Sequence, residues 1–330
     1  MPSIIFDKLI SGGLITNYAC PSKCAHCLYK CGPGRDKSYI DEDMAKEAFR
    51  IMRLSGIHSI HIGGGEPFLK HEKLPGILNA AFNEGIHVDY VETNASWYKD
   101  DDSACTILKN LNRVGLSTLL VSISPFHNAF IPFRKTKGVI RAADVSGVGV
   151  FPWITDFISN LAKMDDAEPH LFSEYQRRFG DNYLVSVLRR YWIHPGGRAI
   201  NLLRQVLPKK SADLILKENR GGCMNELSNT THFHIDLYGN YIPGLCAGLG
   251  VSIEDLPRSL KSEAYPIITC LYHQGAGGLF KYAETRYGYT PKEDGYVNKC
   301  DLCMDVRTHL VYNNYNESRE LMPAAFYTSS

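Results

Sequence analysis

Cysteine is the residue type whose number and spacing in this chain most directly indicate chemistry. The 330 residues include ten cysteines and 12 histidines. Four cysteines fall within twelve residues near the N-terminus and five fall in the last 110 residues, a grouping that burial as small apolar side chains does not usually produce. In a reducing compartment, grouped thiols more often ligate metals or act in catalysis than form disulfides. The positions are Cys20, Cys24, Cys27, Cys31, Cys105, Cys223, Cys246, Cys270, Cys300 and Cys303.

The N-terminal group contains the spacing C-x3-C-x2-C, formed by Cys20, Cys24 and Cys27. Three thiolates this close together can ligate three irons of a cubane iron–sulfur cluster and leave the fourth iron without a protein ligand. An open metal position can bind and activate a second molecule, as it does in catalytic zinc sites. The competing interpretation is a zinc knuckle, which would need Cys31 as its fourth ligand.

The elements around these cysteines follow a regular strand–helix alternation with a period of about 25–30 residues. After a short apolar run at 14–17, helices are predicted at 41–56, 73–85, 102–115 and 136–147. Strands are predicted at 57–62, 87–94 and 117–124, and within 148–158. A helix from Glu168 to Arg178 and a strand from Leu184 to Ile193 would complete six units. This alternation predicts a parallel sheet with crossover helices, in an open or closed α/β barrel.

Composition and charge exclude several classes of protein. The chain is 44% hydrophobic and 22% charged, with a net charge of +1, which is typical of a globular protein and not of a nucleic-acid binder. The sequence shows neither a secretory signal nor an apolar run of about 18 residues. We therefore expect a cytoplasmic protein that contacts neither membrane nor nucleic acid. The βα alternation is lost after residues 194–199, which predicts one domain over 1–200 and a second over 201–330.

Glycines and short polar residues end the predicted strands, where ligands bind in α/β sheets. Glycine lets the backbone approach a ligand closely. Short polar residues at strand ends are also ordinary turn formers, and a triple glycine is also compatible with a simple tight turn. The residues at these ends are Gly63, Gly64, Gly65, Glu66, Pro67, Asn94, Ser122 and Ser124.

The cysteine spacing and these strand ends together resemble the radical S-adenosylmethionine (SAM) enzymes. The resemblance implies that the open iron chelates SAM, and that one electron from the cluster cleaves SAM to give a 5′-deoxyadenosyl radical. It places the family's GGEP motif at Gly64 to Pro67, which receives the SAM amino group. Asn94 matches a TNG-like segment in which Ala95 replaces the usual glycine. Serine at Ser122 or Ser124, and Arg134 about ten residues later, match contacts to the SAM ribose and carboxylate.

The C-terminal cysteines resemble the SPASM and twitch extensions of the same enzymes. Residues 232–246 predict a β-hairpin around Gly239-Asn240, with a cysteine before it, a cysteine after it and a later C-x2-C pair. The resemblance implies one auxiliary [4Fe-4S] cluster and not two, because five cysteines are too few for two clusters. Cys270 is left spare, or replaces one ligand, and a four-cysteine zinc site is the alternative. The implied ligands are Cys223, Cys246, Cys300 and Cys303.

The expected fold is therefore a partial (β/α)6 radical SAM barrel followed by a small cysteine-rich α+β twitch/SPASM-like domain. The expected cofactors are SAM and two [4Fe-4S] clusters, which would make the enzyme oxygen-sensitive. The expected partners are the substrate and an electron donor such as flavodoxin or ferredoxin. A second cluster with four protein ligands is suited to accept an electron from a substrate radical. The overall reaction would then be an oxidation, so we expect an oxidoreductase.

The substrate, whether a small molecule or a peptide, is not specified by the sequence. The cysteine loop begins at residue 20, so we expect no leader-binding domain before it, which favours a small molecule or a peptide presented by a separate protein. Alternatives are a ribosomal-peptide maturase that forms crosslinks, thioethers or epimers, and a non-catalytic iron–sulfur or zinc scaffold. Predicted substrate residues are His127, a possible proton acceptor, Trp153 and Asp156, for which packing or loop polarity is the competing explanation. Cys31 and Cys105 receive no role.

Overall fold

The computed structural model describes residues 4–6, 8–153, 155–256 and 258–328. Eight strands form one sheet in the order β5-β4-β3-β2-β1-β6-β7-β8. The first six of these in space run parallel, and β7 and β8 extend the β6 edge as antiparallel strands. The strands are β1 Gly12–Ile15, β2 Ser59–Gly63, β3 His87–Thr93, β4 Thr118–Ser122, β5 Gly149–Trp153, β6 Phe233–Asp236, β7 Asn240–Ile242 and β8 Val251–Ser252.

Fourteen α-helices lie in the described ranges, and none of them combines the length and apolar character needed to cross a membrane. They are α1 Glu42–Leu54, α2 Leu74–Asn83, α3 Asp101–Asn112, α4 Pro125–Asn128, α5 Phe133–Val145, α6 Ile158–Leu161, α7 Phe172–Phe179, α8 Tyr183–Arg190, α9 Ala199–Val206, α10 Ala212–Glu218, α11 Met224–Leu227, α12 Pro266–Tyr287, α13 Lys299–Tyr312 and α14 Ala325–Thr328. Short 3-10 helices cover Pro67–Lys73, Thr155–Phe157, Pro243–Leu245 and Ile253–Asp255.

The crossover helices form for the reasons that their sequences indicate. In α1, Ala45, Ala48, Phe49 and Met52 are buried at the i, i+3, i+4, i+7 spacing of one helical face. The Asp41 side chain accepts a hydrogen bond from the Met44 backbone N–H at 2.7 Å and caps the helix. The helices predicted before residue 150 are confirmed, with ends that differ from the prediction by a few residues.

The sixth parallel strand is not where the βα count placed it. Residues 184–193 were expected to form a strand, but Tyr183–Arg190 form α8. Tyr183, Leu184 and Val187 are its buried residues, a spacing that fits a helical face and not alternation along a strand. The sixth strand is instead β6, which lies parallel to β1 on the side opposite β2.

The predicted hairpin is confirmed and has a larger role than expected. Strands β6 and β7 pair antiparallel around a turn in which Gly239 has φ +75°. Because β6 also pairs with β1, residues beyond 200 complete the central sheet and do not stand apart from it. The parallel-dominated sheet with its helices confirms the α/β fold class, whereas two domains that meet near residue 200 stay a prediction.

Candidate active site

A cavity of about 270 Å³ opens at the carboxyl ends of the parallel strands. Its wall combines the cysteine loop that follows β1 with residues at the ends of β2, β3 and β4. Among the predicted residues, those lining the cavity are Cys20, Cys24, Cys27, Gly64, Gly65, Pro67, Asn94, Ser122 and His127. The structure thus brings together residues from four separate βα units at the edge where α/β sheets bind ligands.

The three loop cysteines are shielded from solvent. Cys20 and Cys24 are buried and Cys27 is half-buried. Burial, with a smaller contribution from Glu66, raises the pKa of Cys20 to about 12, and burial raises the pKa of Cys24 well above its usual value. Thiols in such surroundings ionise when a metal cation compensates the thiolate charge. The Cys20 thiol also accepts a hydrogen bond from the Asn94 side-chain amide at 3.3 Å.

Cys31 lies beside Cys27 and shares the cavity wall with it. The Cys31 backbone N–H donates to Cys27 Sγ at 3.4 Å. A side-chain hydrogen bond from Cys31, and secondarily the Arg198 guanidinium, lower the pKa of Cys27 to about 6 in spite of its burial. Cys31 therefore influences the ionisation of a predicted iron ligand, a role that the sequence did not suggest.

Arg198 contacts the cysteine loop, although it lies far from the loop in the sequence. Its guanidinium donates to the Cys24 carbonyl at 2.9 Å and to the Cys31 carbonyl at 2.6 Å. Its backbone N–H donates to the Cys27 carbonyl at 3.0 Å. At the preceding residue, Gly197, a Cβ would lie 2.5 Å from the same Cys27 carbonyl, so only glycine permits this approach. Residues 194–199, after which the βα alternation is lost, thus hold the cysteine loop in place, and we call them the clamp segment.

The glycines at the end of β2 make room for the cysteine loop as well as for a ligand. A Cβ on Gly64 would lie 2.7 Å from the Asn17 carbonyl, and a Cβ on Gly65 would overlap the Ala19 carbonyl. The Asn17 side chain accepts from Gly65 N at 3.3 Å and donates to the carbonyl of Glu66 at 3.1 Å. Close packing of two backbones is therefore an observed reason for glycine at these positions.

Glu66 is fully buried and does not line the cavity. Its carboxylate accepts hydrogen bonds from the Phe68 backbone, the Thr93 hydroxyl and the Asn94 backbone, at 3.2, 2.9 and 2.7 Å. Burial raises the pKa of Glu66 to about 7, although these hydrogen bonds act in the opposite direction. Glu66 thus connects the end of β2 to the end of β3. Gly63, like Glu66, lies outside the cavity lining.

The remaining predicted SAM contacts divide into residues inside and outside the cavity. Asn94 and Ser122 line it, and Ala95 has φ +66°, the left-handed conformation in which the resembling motif usually has glycine. Ser124 is buried and caps α4, with its hydroxyl 2.8 Å from His127 Nδ1. Arg134 is exposed in the first turn of α5 and does not line the cavity.

Of the three predicted substrate residues, the structure places only His127 on the cavity wall. Burial lowers its pKa to about 4, so its imidazole is neutral near pH 7 and can accept a proton. Asp156 is exposed in a 3-10 helix outside the lining. Trp153 ends β5, and its side chain lies outside the described residues.

Two buried polar atoms on the cavity wall have no hydrogen-bond partner among the described residues. They are Ser22 Oγ and His26 Nδ1. The other ring nitrogen of His26 lies 3.2 Å from the Tyr191 hydroxyl. Buried polar atoms without partners are costly, so their presence here fits a site that receives a polar ligand.

Sequence reasoning missed several residues of the cavity wall. They reach it from the cysteine loop, from β3 and β4, from the segment after α8 and from the residue before β6, and no motif marks them. His and Tyr recur in residues 87–92 and 232–241, and this recurrence was a signal for residues of the cavity wall. It could not be interpreted from the sequence, because its meaning depends on which strands are neighbours in the sheet. These residues are Tyr29, Tyr90, Glu92, Leu120, Tyr191, Trp192, His194, Arg198 and His232.

A second, smaller cavity of about 50 Å³ is lined by all four predicted auxiliary ligands. Cys223 precedes α11, Cys246 follows the hairpin, and Cys300 and Cys303 lie on one face of the first turn of α13. Cys270 lies on α12 outside this lining. The structure thus brings together the four cysteines that the SPASM and twitch resemblance implied.

Burial raises the pKa of three thiols of this second set, and a buried arginine lies beside them. Burial raises the pKa of Cys223 to about 11 and that of Cys300 to about 12, and in both the neighbouring Cys303 adds to the rise. Burial also raises the pKa of Cys246, which the Arg307 guanidinium partly opposes. Arg307 donates to the Ala247 carbonyl and the Tyr327 hydroxyl, both at 3.0 Å, and its Nε has no partner among the described residues.

The two cavities share a residue. His194 lines both of them, Pro195 and Gly196 line the smaller one, and Arg198 lines the larger one. The clamp segment therefore lies between the two cysteine sets. Cys105, the cysteine between the two groups in sequence, is half-buried on α3 and lines neither cavity.

No protein-family model matches the chain, and no curated protein matches it. Among solved structures, the chain is similar to anSMEcpe with bound AdoMet, with a TM-score of 0.46 and 14% identity over 92% of this chain and 96% of that chain. It is also similar to BtrN in complex with AdoMet and 2-DOIA, with a TM-score of 0.45 and 13% identity over 82% and 90% of the two chains. Streptococcus suis SuiB bound to precursor peptide SuiA has a TM-score of 0.35 and 12% identity over 97% and 76%.

At TM-scores below 0.5 these similarities are distant, and the chemistry has to be judged from this chain's own residues. Of these three solved structures, two contain bound AdoMet and the third contains a bound precursor peptide.

Proposed function

We propose that the protein is a radical SAM oxidoreductase with one auxiliary iron–sulfur cluster. The observation that carries the proposal is the meeting of Cys20, Cys24 and Cys27 with Gly64 and Asn94 on one cavity wall. When bound, a [4Fe-4S] cluster with SAM supplies a radical able to abstract a hydrogen atom from an unactivated C–H bond. The donor set fits this group, because three thiols come from one loop and all three line an open cavity with room for a second ligand.

The chain's own residues hold and shield the site. Asn94 donates a hydrogen bond to the Cys20 sulfur, and the Arg198 guanidinium donates to the backbone carbonyls of Cys24 and Cys31. The partnerless Ser22 hydroxyl and His26 ring nitrogen offer hydrogen bonds to a polar ligand. The His127 imidazole, which burial keeps neutral, is available to form a hydrogen bond with a substrate hydroxyl.

The second cysteine set supports a two-electron oxidation. Four thiols around one cavity match full ligation of a cluster, which then has no open iron for substrate and is suited to electron transfer. The Arg307 guanidinium beside Cys246 and Cys303 offsets part of the negative charge that four thiolates bring. The substrate, small molecule or peptide, and an electron donor such as flavodoxin or ferredoxin are parts of this proposal that rest on the resemblance alone.

The direct test is anaerobic reconstitution of the full chain with iron and sulfide, followed by SAM and dithionite. We expect 5′-deoxyadenosine and methionine to form, and Cys24→Ala to abolish both. Cys105→Ser is the matched control, because Cys105 is half-buried and lies outside both cavities, and it retains SAM cleavage. Absence of 5′-deoxyadenosine from the reconstituted wild type would contradict the proposal that the protein is a radical SAM enzyme.

Metal analysis separates the auxiliary cluster from a structural zinc site. Two [4Fe-4S] clusters require about eight irons and about eight sulfides per chain. A content of four irons and one zinc per chain would instead indicate a structural zinc in place of the auxiliary cluster, with the first cluster intact. In Cys300→Ala we expect SAM cleavage to continue while oxidised product no longer accumulates.

A further inference from the structure

Three histidines that neither cysteine set uses converge on one face of the sheet. They are His61 on β2, His234 on β6, and His232 two residues before His234. One ring nitrogen from each lies within 4.8 Å of the others. His61 and His234 are buried and His232 is half-buried. We call this group the histidine cluster.

The strand register explains why these side chains meet. His61 and His234 stand in register with the same residue, Gly13 of β1, which separates their strands. A Cβ on Gly13 would lie 2.6 Å from two carbons of the His61 ring, so glycine lets the imidazole lie over the intervening strand. His232 shares the face of His234, because side chains two residues apart in an extended strand point the same way.

The ring nitrogens lie close enough together to share one ion. His61 Nε2 and His234 Nε2 are hydrogen-bonded at 3.0 Å, and a separation of about 3.3 Å, as for two imidazoles on a tetrahedral zinc, requires only a small movement once an ion replaces the shared proton. The other nitrogen of His234 lies 2.8 Å from the Tyr29 hydroxyl. A hydrogen bond at the second ring nitrogen is what orients metal-bound histidines in proteins.

A carboxyl group also lies close to the histidine cluster. One oxygen of Glu92 lies 3.9 Å from His61 Nε2. His232 and Glu92 both line the large cavity, so the cluster borders it.

We propose that His61, His232 and His234 bind a divalent transition-metal ion of the zinc type, with the fourth position facing the large cavity. Three imidazoles and an open position form the ligand set of catalytic zinc sites. An ion here would coordinate a hydroxyl or carboxylate oxygen of a substrate in the cavity and orient its C–H bonds. This site shares no residue with the cysteine sets, so its occupancy is independent of the iron–sulfur proposal.

The test is zinc binding by the full chain, purified anaerobically and dialysed against Zn²⁺. We compare wild type with His234→Ala and with His232→Gln, which alters a half-buried ring. His170→Gln is the matched control, because His170 is paired with Glu174 and is not part of the cluster. The readouts are zinc per chain, zinc K-edge absorption and the thermal midpoint with and without zinc.

We expect wild type and His170→Gln to bind about one more zinc per chain than either cluster variant, with nitrogen scatterers at about 2.0 Å. Zinc should raise the thermal midpoint of the first two proteins and not of the variants. Equal zinc content in all four proteins would overturn the proposal. So would a zinc shell made only of sulfur at about 2.3 Å, which would place the ion on cysteines. Folding of the variants is checked by circular dichroism without zinc.

Discussion

The side-chain amide of Asn94 donates a hydrogen bond to Cys20 Sγ at 3.3 Å and so joins the end of β3 to the cysteine loop. The two residues are separated by 74 positions in the sequence. Hydrogen bonds to ligand sulfurs stabilise the more negative, reduced state of an iron–sulfur cluster and raise its reduction potential. If the proposed cluster is bound, this contact gives the end of β3 a role in tuning its reduction potential.

The first prediction concerns this contact. Asn94→Ala should leave the iron content unchanged while it lowers the reduction potential of the first cluster, because one N–H···S bond is lost. A hydrogen bond to a charged group is worth about 1.5–3 kcal/mol, so at a fixed reductant potential we expect the ratio of reduced to oxidised cluster to fall roughly tenfold or more, and SAM cleavage to fall with it. A potentiometric titration followed by electron paramagnetic resonance measures the shift. Asn112→Ala on α3 is the control, and an unchanged potential in Asn94→Ala would refute the role.

The second prediction concerns the backbone contact at Gly65. Gly65→Ala places a Cβ into the Ala19 carbonyl, and backbone atoms cannot turn away as a flexible side chain can. Overpacking of this kind costs roughly 1–3 kcal/mol, and it displaces the loop that carries Cys20. We expect a lower thermal midpoint and loss of about half of the bound iron. Gly34→Ala is the control, because a Cβ there meets no atom within 4 Å; equal behaviour of the two variants would contradict the prediction.

The third prediction concerns the buried cation of the second cysteine set. Arg307→Met keeps an apolar side chain but removes the charge that opposes the raised pKa of Cys246, together with two hydrogen bonds. We expect iron to fall from about eight toward about four per chain, while 5′-deoxyadenosine formation continues. Inductively coupled plasma spectrometry and a SAM-cleavage assay measure the two quantities. Arg286→Met, on the exposed end of α12, should retain all the iron. Full iron content in Arg307→Met would show that this charge is dispensable.

The fourth prediction is a pH dependence of stability. Burial raises the pKa of Glu66 from 4.5 to about 7, so the folded chain binds a proton that the unfolded chain has released between these values. The contribution of Glu66 to the free energy of unfolding is therefore fully present below pH 4.5 and is lost as the pH rises through 7. The loss amounts to about 3 kcal/mol.

The measurement is denaturant unfolding at pH 5 and pH 8 of wild type and Glu66→Gln, without cofactors. Because glutamine does not titrate, wild type should lose about 3 kcal/mol more than the variant between the two pH values. Parallel pH profiles for the two proteins would contradict the raised pKa.

Local patterns were sufficient to predict much of this protein. The C-x3-C-x2-C spacing lies within one loop, so its meaning depends on the positions of Cys20, Cys24 and Cys27 alone. Helix α1 was predicted because its apolar spacing, the acidic residues of its first turn and the glycine at its end are local properties. The hairpin of β6 and β7 was predicted for the same reason, from two short strands around Gly239.

The tertiary structure decided what depends on neighbours that are distant in sequence. The spacing of apolar residues in 184–193 is compatible with a short strand until packing selects a helix, and β6 took the sixth place because it pairs with β1. Glu66 became a link between strands, and Arg198 a clamp on the cysteine loop, through contacts across 28 and up to 174 positions. The histidine cluster requires the register of three strands around Gly13, which follows from long-range pairing and from no local spacing of residues.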